Sequence, residues 1–336
     1  MLTVVTGAAG HAGANLVRAL IARGYQTRVL VHEDARAIQG LDTEIFRGDV
    51  CHPDSLSKVF EGADIVFHLA ARISIANNEW KRLEATNIIG ARNVIEACIR
   101  QNVRRLVHFS SIHSIAQDPG GRPVDESQCL AGTGRCPPYD RSKAAGELEV
   151  RSGMERGLDA VIISPTAIIG PYDYKPSHFG EALVKMASGR LPALVGGGFD
   201  WVDARDVALG AILAGEMAPA GAKYILSGRW VSIRDMAALV EKITGAPMPR
   251  FVCPLWLAGA AAPLVTTFDR MCGRRSLYTR DSARALGCGR NISHEKATLE
   301  LGYNTRPFEE TIADTISWFV ENGRITSVGG KGHRPR

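Results

Sequence analysis

The sequence lacks the arrangements of cysteine and histidine that are typical of metal-binding and disulfide-linked proteins. Its seven cysteines form no CxxC pair and show no zinc-type spacing, which excludes zinc fingers and thioredoxin-like redox sites. Its histidines include no HxxxH pair, so no metal site is predicted. An odd number of scattered cysteines is typical of reduced thiols, and we therefore expect a cytoplasmic protein.

A strong excess of positive charge is also missing from most of the chain. The net charge is +5, but the terminal residues GGKGHRPR supply three positive charges and no acid, which leaves +2 for the rest. A nucleic-acid-binding surface would show a clustered basic face, so no nucleic acid partner is predicted. Residues 326–336 are predicted to form a flexible tail.

An integral membrane segment is not predicted either. The one membrane-like stretch, residues 251–268 (FVCPLWLAGAAAPLVTTF), is at the lower limit of length for a spanning helix and is broken by Pro254 and Pro263. It is open to three uses: a buried helix or substrate-lining lid, peripheral membrane contact, or a protein interface. No signal peptide is expected, because LTVV at residues 2–5 already predicts a strand.

The chain does contain a regular alternation of apolar runs and amphipathic segments up to about residue 163. Runs such as DIVFHLAA and RRLVHFSS predict strands, and stretches such as ANLVRALIARG predict helices. This rhythm predicts an α/β fold, a Rossmann-type doubly wound parallel sheet with helices on both faces. We expect residues 1–163, with about 201–228 returning, to form this domain, and residues 164–200 and 229–325 to form a smaller C-terminal substrate lobe.

A glycine-rich segment, TGAAGHAG, joins the first predicted strand to the first predicted helix. Gly7, Gly10 and Gly13 allow a tight turn and let backbone N–H groups approach a pyrophosphate at the positive end of the helix. The segment has no P-loop lysine and therefore predicts a dinucleotide site, in which Ala12 and the backbone N–H of His11 also take part.

The segment YDRSK places Tyr139 and Lys143 four residues apart, on one face of the helix that it opens. The preceding predicted strand ends in Ser110 and Ser111, so these side chains are expected to meet at the carboxyl edge of the sheet. Hydride transfer to a ketone leaves an alkoxide that needs a proton. A tyrosine with a pKa of about 10 is a poor base near neutral pH. A lysine ammonium and an oxidised nicotinamide lower that pKa, and a serine hydroxyl holds the substrate oxygen.

Together these motifs resemble the extended short-chain dehydrogenases/reductases over nearly the whole chain. The similarity is carried, in order, by TGAAGHAG, RGDV, HLAA, TNIIGARNV, HFSS, YDRSK and SPTAIIGPYD. The resemblance implies that Ser111, Tyr139 and Lys143 are catalytic, with Asn87 supporting the helix and the proton network. It implies cofactor contacts by Asp49 and Val50 at the adenine, by Leu69, Ala70 and Ala71 along the channel, and by Pro165 to Ile168 at the nicotinamide. It also implies a homodimer that packs the Asn87 and Tyr139 helices into a bundle.

Within this family, GPYDYKPSHFG and the C-terminal ISHEKATLELGYNTRPFEETIADTISWF are similar to bacterial dihydroflavonol-4-reductase-like proteins, which are often named NAD-dependent epimerase/dehydratase. Sugar-nucleotide epimerases usually carry an asparagine where this chain has Ser164. We therefore expect an oxidoreductase that reduces a ketone, or oxidises the alcohol, on a fairly apolar ring substrate. The alternatives are a nucleotide-sugar epimerase/dehydratase with tightly bound NAD and a dinucleotide sensor without activity.

The choice between NADP and NAD depends on the second predicted strand, RVLVHEDAR. Glu33 would repel a 2′-phosphate, whereas His32 and Arg36 could accept one, and on balance NADP is favoured over NAD. Three residues are candidates for substrate contact: His113 follows the catalytic serine by two, Tyr172 lies in a loop that could close over substrate, and Trp201 could form a pocket wall.

Overall fold

The computed structural model describes residues 1–74, 79–116, 123–132, 136–271, 286–287 and 291–326, without the side chains of residues 263–264 and 267–271. The predicted flexible tail lies outside these residues from residue 327 on. The chain divides into two compact units. The first contains Met1–Ile168, Val202–Gly228 and Asn291–Thr305, and the second contains Ile169–Trp201, Arg229–Arg290 and Arg306–Arg336, so far as they are described.

The first unit is built from alternating strands and helices. In chain order they are β1 (Leu2–Thr6), α1 (His11–Ala22), β2 (Gln26–Val31), β3 (Glu44–Arg47), α2 (Asp54–Phe60), β4 (Ile65–His68), α3 (Trp80–Leu83), a π-helix (Glu84–Ile89), α4 (Gly90–Arg100), β5 (Arg105–Phe109), a 3₁₀ turn (Ile112–Ser114), α5 (Pro138–Glu155) and β6 (Ala160–Pro165). After the chain returns from the second unit, α7 (Ala204–Met217), β10 (Lys223–Leu226) and α10 (Glu295–Leu301) complete it.

The strands of the first unit form one seven-stranded sheet in the order β10-β6-β5-β4-β1-β2-β3. Every neighbouring pair is parallel. The order reverses direction at β1, which is the topology of a doubly wound nucleotide-binding sheet. The predicted Rossmann-type α/β fold is therefore confirmed.

Both faces of this sheet are covered because its strands are apolar on both sides. Val5, Phe67 and Val107 pack on one face with residues of α1 and α7. Val66 and Leu106, their neighbours along β4 and β5, pack on the opposite face with residues of α2, α4 and α5. Alternation of side chains along a strand produces this division.

One row across the sheet departs from the apolar pattern. Strand register aligns Thr6 with His68, His68 with His108, His108 with Ile162, and Ile162 with Lys223. Residues aligned in this way project to the same face, here the face covered by α5, because Ile162 packs with residues of α4 and α5. Four polar side chains are thus buried beneath a helix.

The second unit contains shorter elements. It includes α6 (His178–Ala187), β8 (Leu194–Val195), β11 (Arg229–Ser232), α8 (Ile233–Thr244), β12 (Val252–Cys253), α9 (Leu255–Met271) and α11 (Phe308–Glu321), while β7 (Ala167–Ile169) and β9 (Gly198–Asp203) carry the chain across the unit boundary. Strands β9 and β11 pair antiparallel. The rings of Phe179, Phe199 and Trp201 form an aromatic cluster with centroids 4.8–5.2 Å apart.

The apolar stretch 251–268 forms β12 and most of α9. Ala262 is buried, whereas Phe251 is 64% and Trp256 is 75% exposed. None of the helices in the described part of the chain is both long and apolar enough to cross a bilayer. This stretch is therefore largely helical and partly exposed. Its role as a substrate-lining lid, a membrane contact or a protein interface stays a prediction.

Residues 291–305 return to the first unit, although the sequence pattern assigned them to the C-terminal lobe. Ala297, Leu301 and Tyr303 join the apolar core beside Tyr224 of β10. The Tyr303 hydroxyl donates to the Ser227 carbonyl oxygen at 3.1 Å. Burial of these apolar side chains against the edge strand accounts for the return.

Candidate active site

The glycine turn after β1 has the shape that a pyrophosphate needs. Gly7 has φ +71°, and a Cβ there would lie 2.6 Å from the Ala70 nitrogen. A Cβ on Gly13 would lie 2.3 Å from the Gly7 carbonyl oxygen. Only glycine fits either position. Gly10 precedes α1 and makes no side-chain cap, and the N-terminus of a helix is where backbone N–H groups bind an anion. The residues present therefore fit a dinucleotide cofactor.

The end of β4 is fastened to the same turn. Thr6 Oγ1 and His68 Nδ1 are 2.7 Å apart, and the Ala70 N–H donates to Thr6 Oγ1 at 3.3 Å. The Leu69 N–H donates to the Thr6 carbonyl oxygen at 3.1 Å. Leu69 and Ala70, with Ala71 following them, thus lie directly beside the glycine turn, where the predicted cofactor channel begins.

The predicted adenine contacts lie at the ends of β2 and β3. The Cys51 N–H donates to Asp49 Oδ1 at 2.9 Å, and His32 Nε2 lies 3.5 Å from Asp49 Oδ2. Burial opposes ionisation of Asp49, but the hydrogen bond from Cys51 and the neighbouring His32 hold the pKa of this carboxyl below its ordinary value. Val50 is buried. Arg36 is exposed, and its guanidinium bonds to the Asp34 carboxylate at 2.6 and 2.9 Å.

Three predicted catalytic residues occur together at the carboxyl end of β5. Ser111 follows this strand, and its hydroxyl lies near the Tyr139 phenol and favours the ionised form of that phenol. The Lys143 ammonium is buried and donates to the Phe109 carbonyl oxygen at 2.7 Å. Pro138 begins α5, where a proline needs no hydrogen-bond acceptor, and so places Tyr139 in the first turn.

Burial sets the protonation of this group. It raises the pKa of Tyr139 to about 12, although the neighbouring Ser111 hydroxyl acts in the opposite direction. It also lowers the pKa of Lys143 to about 8, against the influence of the nearby Glu147 carboxylate. The phenol therefore holds its proton at neutral pH, as a proton donor must.

Asn87 lies in the π-helix, and its side chain bonds to the backbone of Arg72 and to the side chain of Ser142. Its Nδ2 donates to the Arg72 carbonyl oxygen at 3.0 Å and to Ser142 Oγ at 2.9 Å, and its Oδ1 accepts from the Arg72 N–H at 2.7 Å. Gly146 of α5 passes so close that a Cβ there would lie 2.4 Å from the Asn87 carbonyl oxygen. Asn87 thus fixes α5, the helix of Tyr139 and Lys143, against the chain that follows β4.

The predicted substrate and nicotinamide residues occupy different places. The His113 ring packs edge-on against the Tyr139 ring with centroids 5.7 Å apart, and its Nδ1 lies 3.3 Å from Asp140 Oδ1. Pro165 ends β6, and Ile168 lies in β7. In the second unit, Tyr172 packs on Trp318, and Trp201 is buried with its indole N–H donating to the Val231 carbonyl oxygen at 3.1 Å. Substrate contact by Tyr172 and Trp201 stays a prediction.

A buried ionic cluster beneath α5 was not foreseen from the sequence. Both carboxylate oxygens of Glu147 lie 2.8 Å from the Lys223 ammonium. The hydroxyls of Ser110 and Ser114 donate to the same carboxylate at 3.0 Å. The only sequence signal for this cluster is that Glu147 follows Lys143 by four and so shares its helix face. Among the described residues no group of side chains could hold a metal ion.

The doubly wound sheet, the glycine turn and the Ser111, Tyr139 and Lys143 group define a dinucleotide-dependent oxidoreductase-type protein. Residues 3–226 match the model of the NAD dependent epimerase/dehydratase family. The chain belongs to this family, and the resemblance to extended short-chain dehydrogenases/reductases is confirmed. It is an NAD(P)-dependent enzyme of that family.

Relatives match over almost their full length. "Sterol demethylase protein B" of Methylococcus capsulatus is 35% identical over 332 residues, which cover 97% of this chain and 100% of the relative. "Putative dihydroflavonol 4-reductase" of Synechocystis sp. is 32% identical, with 96% and 95% covered. The crystal structure of gox2253 superposes with a TM-score of 0.83 at 32% identity, with 96% of this chain and 99% of that chain covered.

Proposed function

We propose that this protein is an NAD(P)-dependent oxidoreductase that reduces a ketone, or oxidises the corresponding alcohol, on a fairly apolar ring substrate. Tyr139 is the acid–base group. The observation that carries the proposal is that Ser111 and Tyr139 come together at the carboxyl end of β5, with the Lys143 ammonium buried there on the Tyr139 face of α5 and bonded to the Phe109 carbonyl oxygen.

The protein's own residues handle the proton and the substrate oxygen. A reduced nicotinamide, when bound, supplies the hydride. Ser111 donates a hydrogen bond to the carbonyl oxygen and holds it next to the phenol. Tyr139 gives its proton to this oxygen as negative charge develops there. The Lys143 ammonium stabilises the phenolate that remains, since a positive charge nearby favours the ionised form of a phenol.

The apolar ring substrate is supported by two observations. The names of the two relatives above refer to a sterol and to a dihydroflavonol, which are both ring compounds of low polarity. Ser164, which stands where sugar-nucleotide epimerases usually have an asparagine, is fully buried in β6. A short buried hydroxyl is a poor replacement for an amide that contacts a sugar nucleotide.

The test is reduction of ring ketones by NADPH and NADH, followed by loss of cofactor absorbance. A panel of ketosteroids and dihydroflavonols covers the proposed class. Tyr139→Phe is expected to lower kcat by about 10²- to 10⁴-fold, because proton transfer contributes a factor of this size. Tyr224→Phe is the matched control, since Tyr224 is a buried tyrosine of the same unit that bonds to Glu300 instead.

Two results would contradict the proposal. The first is full activity of the Tyr139→Phe variant. The second is conversion of UDP- or TDP-sugars without net oxidation of cofactor, together with no reduction of any ring ketone. That second result would establish an epimerase.

A further inference from the structure

His108 is a buried imidazole with no hydrogen-bond partner among the described residues. It is the fourth of the five residues of β5 and is 3% exposed, and neither Nδ1 nor Nε2 has a partner in the part of the chain that the structure describes. Its neighbour His68 is different, because His68 Nδ1 bonds to Thr6 Oγ1. An unsatisfied buried polar atom costs about 1–3 kcal/mol, and nearly all buried polar atoms in proteins bond either to another protein group or to an ordered water.

The groups around His108 come from three elements. They are His68 on β4, with ring centroids 5.3 Å apart, Lys143 and Glu147 on α5, with Arg151 bonded to Glu147, and Lys223 on β10. Burial, and the charges of Lys143 and Lys223, keep the pKa of His108 well below its ordinary value. The ring is therefore neutral, with one nitrogen that accepts a hydrogen bond and one that donates.

A second unsatisfied group lies on the same face. Ser164 is fully buried, and its Oγ has no hydrogen-bond partner in the described part of the chain. It stands two residues beyond Ile162, the residue aligned with His108, so its side chain projects to the same side of the sheet. Neighbouring strands lie about 4.8 Å apart and two residues advance a strand by about 6.6 Å, so the two Cα atoms are about 8 Å apart. The side chains project from these atoms and shorten the gap toward the separation of about 5.5 Å between two polar atoms that one water bridges.

The Lys143 ammonium has donors to spare. It has three N–H groups, and the structure shows one hydrogen bond from it, to the Phe109 carbonyl oxygen next to His108. Glu147 is already bonded to Lys223, Arg151 and two serines, and a second carboxylate, that of Glu126, also acts on Lys223. A buried water needs two to four polar partners, and the unused N–H groups of the Lys143 ammonium can supply one of them.

We infer that His108 and Ser164 bind an ordered water between the sheet and α5, and that this water accepts a hydrogen bond from the Lys143 ammonium. His108 is thus a positioning residue: it supports the charge and the placement of the catalytic lysine and touches neither substrate nor cofactor. The effect of His108 on catalysis rests on the proposed function, whereas the presence of the water does not.

The first test is crystallographic and needs no substrate. A high-resolution crystal structure is expected to show a water within hydrogen-bond distance of a His108 ring nitrogen and of Lys143 Nζ, and the His108→Leu variant is expected to lack it. A His108 ring bonded only to protein groups would overturn the water site. This readout stands whether or not ketone reduction is found.

The second test is the pH dependence of kcat/KM for alcohol oxidation. Without the water the ammonium is less well solvated, so the pKa of Lys143 falls, the phenolate is less stabilised and the pKa of Tyr139 rises. The acidic limb of the pH profile should move to higher pH by about one unit in His108→Leu. At any pH below this limb, kcat/KM should therefore be about 10-fold lower than in the wild type.

Two variants separate positioning from simple packing. His108→Gln retains donor and acceptor groups and is expected to restore the wild-type limb. Tyr224→Phe removes a hydrogen bond elsewhere in the sheet and should leave the limb unmoved. A limb that stays in place in His108→Leu, while thermal stability falls, would show that His108 is merely structural.

Discussion

Arg36 is the residue on which the proposed preference for NADP depends. Its guanidinium is exposed and bonded to Asp34, and an exposed ion pair of this kind is weak. A 2′-phosphate carries more charge than a carboxylate and offers the bidentate geometry that arginine favours, so it can take the guanidinium from Asp34.

Replacing Arg36 tests this role. We expect Arg36→Ala to raise KM for NADPH by about 10-fold or more, since a charge-assisted hydrogen bond contributes about 1.5–3 kcal/mol. KM for NADH should hardly change. Steady-state kinetics with both cofactors measures the effect, and Arg23→Ala is the control because Arg23 pairs with Glu216. An equal change for both cofactors would refute the phosphate role.

The residues of the candidate site differ in how far the sequence could predict them. The sequence predicted Tyr139, Lys143 and the glycines because their spacing is local to one turn or one helix. It did not predict the Glu147–Lys223 pair or the unsatisfied His108 and Ser164. Their contacts depend on the register of strands that are far apart in the sequence, and no local pattern encodes that register.

The π-helix is the element that the sequence pattern missed. NIIGARNVIEACIRQN predicts one continuous helix from residue 87, but residues 84–89 form a π-helix before α4 begins at Gly90. Helical periodicity hardly distinguishes the two, because a stretch of six residues is too short to show a change of period. The π-helix contains Asn87, and such turns are frequent at functional sites.

Gly146 tests how closely α5 must approach this π-helix. Alanine is favoured over glycine inside a helix by about 1 kcal/mol, yet a Cβ at Gly146 would lie 2.4 Å from the Asn87 carbonyl oxygen. We expect Gly146→Ala to lower the free energy of unfolding by about 1–3 kcal/mol and to reduce kcat. Thermal and urea unfolding measure the first effect.

A glycine inside another helix provides the control. No described atom lies within 4 Å of a Cβ built on Gly259 of α9, so Gly259→Ala should be neutral or stabilising. If Gly146→Ala were equally harmless, the close approach of α5 to Asn87 would not be a structural requirement.

At the scale of the whole molecule, the homodimer implied by the family resemblance stays a prediction. It would use the surfaces of α4 and α5. Arg92 of α4 and Glu149 of α5 pair at 2.7 Å within the chain. Leu148 of α5 is 56% exposed, and Ile89, the last residue of the π-helix before α4, is 42% exposed. Apolar side chains at these positions suit burial against a second copy.

Leu148→Glu is expected to shift the protein from dimer to monomer, because a dimer axis would bring two carboxylates into one apolar contact. Sedimentation velocity over a range of concentrations measures the change. Leu299→Glu is the control, since Leu299 of α10 is 77% exposed and lies on neither helix. A wild-type protein that sediments as a monomer would contradict the prediction.

The sequence predicted the fold class because alternating periodicities extend over many elements. It did not predict the return of residues 291–305 to the first unit. This return rests on contacts such as Tyr224 with Glu300, which are 76 positions apart. Pairings at such separation are set by complementary surfaces in three dimensions, and neither partner shows a local signal.

The late return of this segment has a consequence for biosynthesis. The first unit lacks Tyr303 and α10 until residues 291–305 have emerged from the ribosome. At typical rates of translation the interval between residues 228 and 305 lasts about 4–15 s. During that time Tyr224 and the edge of β10 face water, which makes these seconds the period when the nascent chain is open to chaperones or to misassembly.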